Sequence, residues 1–245
     1  MLSVKNVSKS FGGKVVLDKC SFKIRKGYIT TLAGPNGCGK TTLFNIICGL
    51  LDLERGVIFY GQKNITRQKP FRIAKLGITR TFQDPLLFKN LTVEKHLILS
   101  VKDNSNFFSN FLGRNKLSDF EKEKIEKVLL DLNLGGKKYS LPTKLSGGQR
   151  KLLDLAVALV RNFDLILLDE PTAGVAPELR ELIAKIVLRI KKEGKTVFLI
   201  EHDMNFAMKI SDEVIILNNG RVLARGTPYE IKNNIKVLKA YLGGD

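Results

Sequence analysis

Nine consecutive residues, Gly34-Pro35-Asn36-Gly37-Cys38-Gly39-Lys40-Thr41-Thr42, combine three glycines, one cation and two hydroxyls. Glycines let successive backbone N–H groups curl around an anion with no Cβ in the way. Lys40 would set a point charge against the outer phosphates of a nucleotide, and the Thr41 hydroxyl is a hard oxygen donor suited to Mg²⁺. The spacing, Gly34, four residues, then Gly39-Lys40-Thr41, is that of the phosphate-binding P-loop. A glycine-rich surface turn would have the same composition. What favours the phosphate reading is the apolar run Tyr28 to Ala33 before the loop, which reads as a buried strand, and Leu43 to Leu50 after it, which reads as a helix. That helix would turn the positive end of its dipole toward the bound anion.

Further groups could answer this loop. Leu165-Ile166-Leu167-Leu168 is a continuous apolar run, as in a strand buried on both faces of a parallel sheet, and it ends in Asp169-Glu170. Ligands of open α/β sheets gather at the carboxyl ends of such strands. Asp169 would help hold Mg²⁺ and Glu170 would orient or polarise an attacking water. A second apolar strand, Thr196 to Ile200, ends in Glu201-His202-Asp203, which places His202 where it could reach a terminal phosphate or that water. Gln83 closes a third strand, Gly77 to Phe82, and could touch the metal or relay movement; alone it is a polar strand terminus. Ser146-Gly147-Gly148-Gln149 has the capping-box form Ser-x-x-Gln and leads into a helix from Arg150 to Arg161. It is either a well-capped helix start or a second anion site. Phe11, beside Gly12-Gly13, could stack on a base with Val16 packed next to it, although its position fits a hydrophobic plug under a hairpin slightly better.

The elements that must position these groups follow from periodicity. Alternating residues 2 to 7 and the stretch Val15 to Ile24 suit a half-buried antiparallel sheet, and Val57 to Tyr60 adds a short strand. From residue 86 to 143 the character changes. Thr92 to Val101 and Asp119 to Leu132 are helical in period, and between them lies a polar loop carrying Phe107, Phe108 and Phe111, which read as a small satellite core or part of a docking surface. Pro177 starts a helix that runs to Lys192 and stops at Gly194. Val214 to Leu217 and Arg221 to Ala224 form a hairpin around Asn218-Asn219-Gly220, and two short helices end the chain. No internal repeat is present.

The 245 residues suit one α/β unit with an inserted lobe. Forty-one Lys and Arg against 24 Asp and Glu give a formal charge of +17, which points to a polyanionic partner. The basic residues are spread along the chain, so a lysine-rich genome would give the same number without one. Three cysteines with no Cys-x-x-Cys pair indicate neither a disulfide framework nor a zinc site, as in a reducing cytoplasm. The N-terminus begins a strand directly, without a signal-peptide pattern, and no apolar run approaches the ~20 residues that span a bilayer.

Taken in order, Phe11, Gly34 to Thr42, Gln83, Leu145 to Gln149, Leu165 to Glu170 and His202 resemble the A-loop, Walker A, Q-loop, signature, Walker B and switch histidine of ATP-binding cassette (ABC) nucleotide-binding domains. The resemblance covers essentially the full length. It implies an α/β P-loop NTPase fold with a RecA-like, mainly parallel core sheet, an N-terminal antiparallel β subdomain and an inserted α-helical subdomain. The expected division is about 1–83 for the β subdomain and P-loop core, about 84–158 for the helical insertion, about 159–226 for the rest of the core, and 227–245 for C-terminal helices. It further implies ATP and Mg²⁺ as ligands, with Gln83 joining Thr41 and Asp169 at the metal. Such domains pair head to tail, as homodimer or heterodimer, so that Ser146 to Gln149 of one copy closes over the ATP held by Lys40 of the other. Permease subunits would dock on the insertion, with Gln83 at its hinge.

Thr81-Phe82-Gln83, Leu87-Phe88, Leu91-Thr92-Val93, Ile200 to Met204, Gly226-Thr227-Pro228 and Tyr241-Leu242-Gly243 are most similar to ATPases of branched-chain or hydrophobic amino-acid importers. The resemblance then implies a substrate-binding protein as a further partner and a peripheral place on the cytoplasmic face of the cell membrane. One departure is Ala176 before Pro177, where many members carry aspartate or asparagine; it implies weaker cross-dimer contacts and slower or less coupled hydrolysis. The rival expectations are a soluble ABC-type ATPase acting on nucleic acid or ribosomes, an exporter ATPase for lipid or lipopolysaccharide, and a nucleotide-binding regulator without turnover. The first usually carries two cassettes or an inserted coiled coil or zinc module, absent here, so nucleic acid is not expected as a partner. Intact Glu170 and His202 oppose the last.

Overall fold

The computed structural model describes residues 1–101 and 117–242, and it divides into two compact units. Phe107, Phe108 and Phe111 lie outside the described residues.

The first unit comprises residues 1–80, 164–170 and 187–245, and it holds both sheets. An antiparallel sheet runs in the order β2 (Lys14–Ile24), β1 (Leu2–Phe11), β4 (Arg55–Tyr60), β5 (Lys63–Asn64). The hairpin between β1 and β2 turns on Gly12 and Gly13, both at positive φ, as a two-residue connection of this twist requires. The second sheet has the order β10 (Arg221–Gly226), β9 (Glu213–Asn218), β3 (Ile29–Ala33), β8 (Thr196–Ile200), β7 (Leu165–Asp169), β6 (Ile78–Arg80). All its pairings are parallel except that of β9 with β10. Strands β3, β7 and β8 are buried at every position, which accounts for the apolar runs Leu165–Leu168 and Val197–Ile200, and Thr30 and Thr31 of β3 are buried with them. Helix α1 (Lys40–Ile47) contributes Phe44, whose ring centroid lies 4.9 Å from that of Phe198 on β8, with Phe22 of β2 at 5.7 Å on the other side. These rings join the two sheets into one core.

The expected helix Leu43 to Leu50 begins earlier and ends earlier. The phosphate loop feeds directly into Lys40, and Gly49 at φ +69° terminates the helix where a Cβ would lie 2.1 Å from the Gln68 carbonyl oxygen. Helix α2 (Pro70–Lys75) was not anticipated; its only buried residue is Ile73, so it has almost no apolar period to read.

The second unit comprises residues 81–163 and 171–186. Helices α3 (Val93–Val101), α4 (Asp119–Asp131) and α5 (Gly147–Leu159) pack on one another, and Leu97, Leu129, Leu153 and Ala156 on them are buried. Helix α4 is capped by a reciprocal Ser118–Glu121 box. The strand expected over Gly77 to Phe82 pairs only from Ile78 to Arg80. Beyond it, the Phe82 N–H donates to the buried Asp154 carboxylate at 2.8 Å, so its donor goes to a helix side chain and the ladder stops. Gln83 therefore sits in a bend three residues past the strand.

Helix α6 (Pro177–Lys192) starts where expected. Helices α7 (Met204–Ile210), α8 (Pro228–Lys232) and α9 (Ile235–Leu242) complete the chain, with Asp203 and Thr227 as side-chain N-caps of the first two. Among the described residues, no helix is long and apolar enough to cross a membrane.

Candidate functional site

Register explains why distant residues share one edge of the parallel sheet. Leu32 pairs with Ile200 and Ile200 pairs with Asp169, so the strands β3, β8 and β7 end in one row. Gly34 follows the first strand, Glu201-His202 the second, and Glu170 the third.

Within the loop after β3, conformation dictates residue type. Gly34, Gly37 and Gly39 have φ of +151°, +76° and +106°. At Gly34 a Cβ would stand 2.0 Å from the Leu217 carbonyl oxygen; at Gly39 it would stand 2.8 Å from the Val16 carbonyl oxygen and 2.8 Å from Leu17 Cδ2. Val16 thus lines the loop through its backbone, which periodicity did not suggest. Asn36 and Gly37 are exposed, as is Thr41, while Thr42 is half-buried. Phe11 is an exposed ring at the tip of β1, with Lys9 Nζ 5.3 Å from its centroid, and so is available to a flat ligand instead of plugging the hairpin.

The Lys40 side chain is buried, and its Nζ donates to the carbonyl oxygens of Gly34 at 2.8 Å and Pro35 at 2.9 Å. Such neutral acceptors hold an ammonium less strongly than phosphate oxygens would. Beside it, Cys38 is buried, and burial pushes its thiol pKa up against the opposing pull of the Lys40 charge, so the thiol stays neutral.

Glu170 and His202 meet. His202 Nε2 lies 2.7 Å from Glu170 Oε1, with Glu170 buried and the imidazole partly exposed. Glu170 has φ +48°, a left-handed conformation that a non-glycine residue keeps only when its surroundings enforce it. Its N–H donates to the Ile200 carbonyl at 3.1 Å, which fixes the turn to the end of β8.

Asp169 is buried and ion-paired. Its Oδ2 accepts from Arg80 Nη2 at 2.8 Å, and Arg80 Nη1 donates to Asn45 Oδ1 on α1 at 2.7 Å. Neither Arg80 nor Asn45 was anticipated as part of the site; the signal is a lone arginine at the end of a strand otherwise lacking charge, legible only once β6 is known to lie beside β7. The Thr41 hydroxyl and the Asp169 carboxylate are hard oxygen donors, the set that suits Mg²⁺ and not a soft metal.

In the second unit, Ser146 caps α5. Ser146 Oγ accepts from the Gln149 N–H at 3.2 Å, and Gln149 Oε1 accepts from the Ser146 N–H at 3.0 Å. Ser146 and Gly147 are exposed, and a Cβ at Gly148 would press on Leu179 Cδ1 at 2.6 Å. Ala176 offers no side-chain cap to α6; only its carbonyl serves, accepting from the N–H groups of Leu179 and Arg180. Gln83 is exposed in this unit.

The geometry can be set beside known proteins. A family profile described as ABC transporter matches residues 17–173. A protein of Archaeoglobus fulgidus named "Probable branched-chain amino acid transport ATP-binding protein LivG" is 37% identical over 246 residues, covering 99% of this chain and 95% of the relative. A Salmonella typhimurium protein named "High-affinity branched-chain amino acid transport ATP-binding protein LivG" is 34% identical over 252 residues, covering 99% and 98%. Among solved structures, a nucleotide-free ATP-binding cassette from an ABC transporter superposes with a TM-score of 0.85 at 35% identity, covering 98% of each chain. A dimeric cassette in a post-hydrolysis state, bound to ADP and Pi, superposes with a TM-score of 0.81 at 27% identity, covering 93% of this chain and 99% of that one.

Proposed function

The chain belongs to the ABC transporter family as an ATPase with the P-loop fold, and from that premise we propose that it is the ATP-hydrolysing subunit of a membrane importer for branched-chain or other hydrophobic amino acids. The observation that carries the catalytic part is the Glu170–His202 contact at 2.7 Å, in the same row of strand ends as the Lys40 loop.

Backbone N–H groups of the loop from Asn36 to Thr42 cradle the phosphates of ATP, and Lys40 transfers its ammonium from neutral carbonyls to phosphate oxygens. Phe11 stacks on the base, with Val16 beneath it. Thr41 and Asp169 would hold Mg²⁺, which when bound would neutralise charge on the outer phosphates. Glu170 accepts a hydrogen bond from the attacking water and draws its proton as the oxygen approaches the γ-phosphorus in line. The bond to the bridging oxygen breaks, leaving ADP and phosphate. His202 holds Glu170 in its left-handed turn and presents its ring edge to the γ-phosphate.

A second cassette, identical or related, supplies Ser146, Gly147, Gly148 and Gln149 as N–H and hydroxyl donors over the same ATP. Closing that dimer does work on permease subunits seated on the helical insertion of about residues 84–158, where Leu86, Phe88 and Tyr139 expose apolar surface. The cassette is thereby a peripheral subunit on the cytoplasmic face, and a substrate-binding protein supplies the amino acid. The amino-acid assignment is supported by the names of the relatives and by the resemblance carried by segments such as Thr81 to Gln83, Ile200 to Met204 and Gly226 to Pro228, while the permease and binding protein select the cargo.

Purification from native membranes tests this reading. The expected result is co-purification with membrane-spanning subunits whose reconstitution with this chain gives ATP-dependent leucine uptake. Co-purification with ribosomes or nucleic acid, and no uptake, would replace it with the soluble alternative.

A further inference from the structure

A buried arginine stands behind the proposed metal carboxylate. The Arg80 side chain is 6% exposed and that of Asp169 is 1% exposed, so both charges are withdrawn from water and the pair persists only with its geometry intact. The guanidinium uses both of its terminal nitrogens on different elements: Nη2 to Asp169 Oδ2 at 2.8 Å and Nη1 to Asn45 Oδ1 at 2.7 Å. Its carbon sits 5.6 Å from the centroid of the Phe44 ring. Asn45 and Phe44 belong to α1, the helix that starts at Lys40 and carries Thr41 in its first turn.

We propose that Arg80 is a positioning residue that fixes the Asp169 carboxylate relative to Thr41, and so sets the affinity of the nucleotide site for Mg²⁺. The inference rests on the proposed reading of Asp169 as a metal-holding residue. Partners that hydrogen-bond a metal-holding group from behind change metal affinity or activity by about 10–100-fold when removed. A planar guanidinium can span two acceptors held apart on a strand and a helix. A lysine at the same place keeps the charge but cannot reproduce the fork. Orientation and charge therefore make opposite statements about Arg80→Lys.

The test measures binding of a fluorescent ADP analogue to the full chain while Mg²⁺ is titrated, with a parallel measurement in EDTA and a thermal melt of each variant. For both Arg80→Met and Arg80→Lys, the half-saturating Mg²⁺ concentration is expected to rise about tenfold, with affinity in EDTA within about twofold of the parent. Asn45→Ala, which removes one arm of the fork, should shift it in the same direction by less. Mn²⁺ binding followed by electron paramagnetic resonance should show the same order. Should Arg80→Met fail to fold, Arg80→Lys and Asn45→Ala carry the test.

An unchanged Mg²⁺ response in Arg80→Lys, or a tighter one in Arg80→Met, would mean that only charge matters and would overturn the inference. Asp169→Asn separates the two layers. If it abolishes the Mg²⁺ response while the Arg80 variants respond normally, the Arg80 inference alone falls. If Asp169→Asn itself responds normally, the reading of Asp169 falls and takes the inference with it.

Discussion

Gly39→Ala and Gly37→Ala change the same loop by the same atom, and the structure separates their costs. Gly37 has φ +76° and nothing within 4 Å of where a Cβ would be, so alanine there meets only the left-handed backbone penalty, about 1–2 kcal/mol. Gly39 has φ +106° and a Cβ position 2.8 Å from both Leu17 Cδ2 and the Val16 carbonyl oxygen. The leucine tip can rotate away, but the carbonyl belongs to strand β2, at the bulge between the Leu17–Lys9 and Val15–Ser10 pairs, and it also abuts Gly220, whose Cβ position lies 2.5 Å from it. Overpacking of that kind adds about 1–3 kcal/mol. For a chain of this length each kcal/mol shifts Tm by about 2–4 °C, so Gly37→Ala should lower Tm by roughly 2–8 °C and Gly39→Ala by about twice as much. Calorimetry without nucleotide reads this difference. Nucleotide titration should then show Gly39→Ala binding more weakly than Gly37→Ala, because the displaced backbone is the phosphate cradle itself. Equal melting temperatures for the two variants would refute the claim that strand β2 walls the loop.

Other expectations follow from the contacts on either side of the loop. His202→Ala removes the partner of Glu170, so kcat should fall about 100-fold with nucleotide affinity unchanged within about twofold; single-turnover hydrolysis and equilibrium binding check this. Ser146→Ala removes a cap on α5 and should cost about 1 kcal/mol, a Tm loss of about 2–4 °C, read in a thermal melt. His96 is buried, with Nδ1–H donating to the Thr92 carbonyl at 2.8 Å and Nε2 accepting from the Phe88 N–H at 3.0 Å, and burial lowers its pKa below the ordinary 6.5. The folded state therefore holds the neutral ring and the unfolded chain takes up the proton first. Its contribution is fully present above about pH 6.5 and is lost as the pH falls below that toward the folded-state pKa. The Tm of the parent should drop more steeply than that of His96→Gln between pH 7 and pH 5 in a melt series.

Much of the site was legible because local chemistry dictated it. Three glycines at fixed spacing announce a backbone that side chains cannot adopt, and their positive φ values are the physical content of that pattern. Four apolar residues followed by Asp169-Glu170 announce a strand buried on both faces whose end faces a ligand edge. Ser146 with Gln149 announces a reciprocal cap, and both of its hydrogen bonds are present. What stayed hidden depends on register between segments far apart in sequence. Arg80 and Asp169 are 89 residues apart and meet only because β6 lies parallel to β7. The strand before Gln83 reads longer than it is because β-branched Thr81 and aromatic Phe82 both suit a strand, whereas the Phe82 N–H is claimed by Asp154, 72 residues later. The left-handed turn at Glu170 carries no signal in residue type at all, since glutamate is an unfavourable choice at positive φ.

Glu170 is the proposed carboxylate that draws a proton from the attacking water. Glu170→Gln keeps the side chain's size and its ability to touch His202 while removing that capacity. The measurement is the ATP hydrolysis rate of this variant beside its ATP affinity and its association state in ATP. Hydrolysis should fall by at least about 100-fold with affinity retained, and the variant should accumulate as an ATP-bound dimer. Hydrolysis at the parent rate would contradict this role for Glu170.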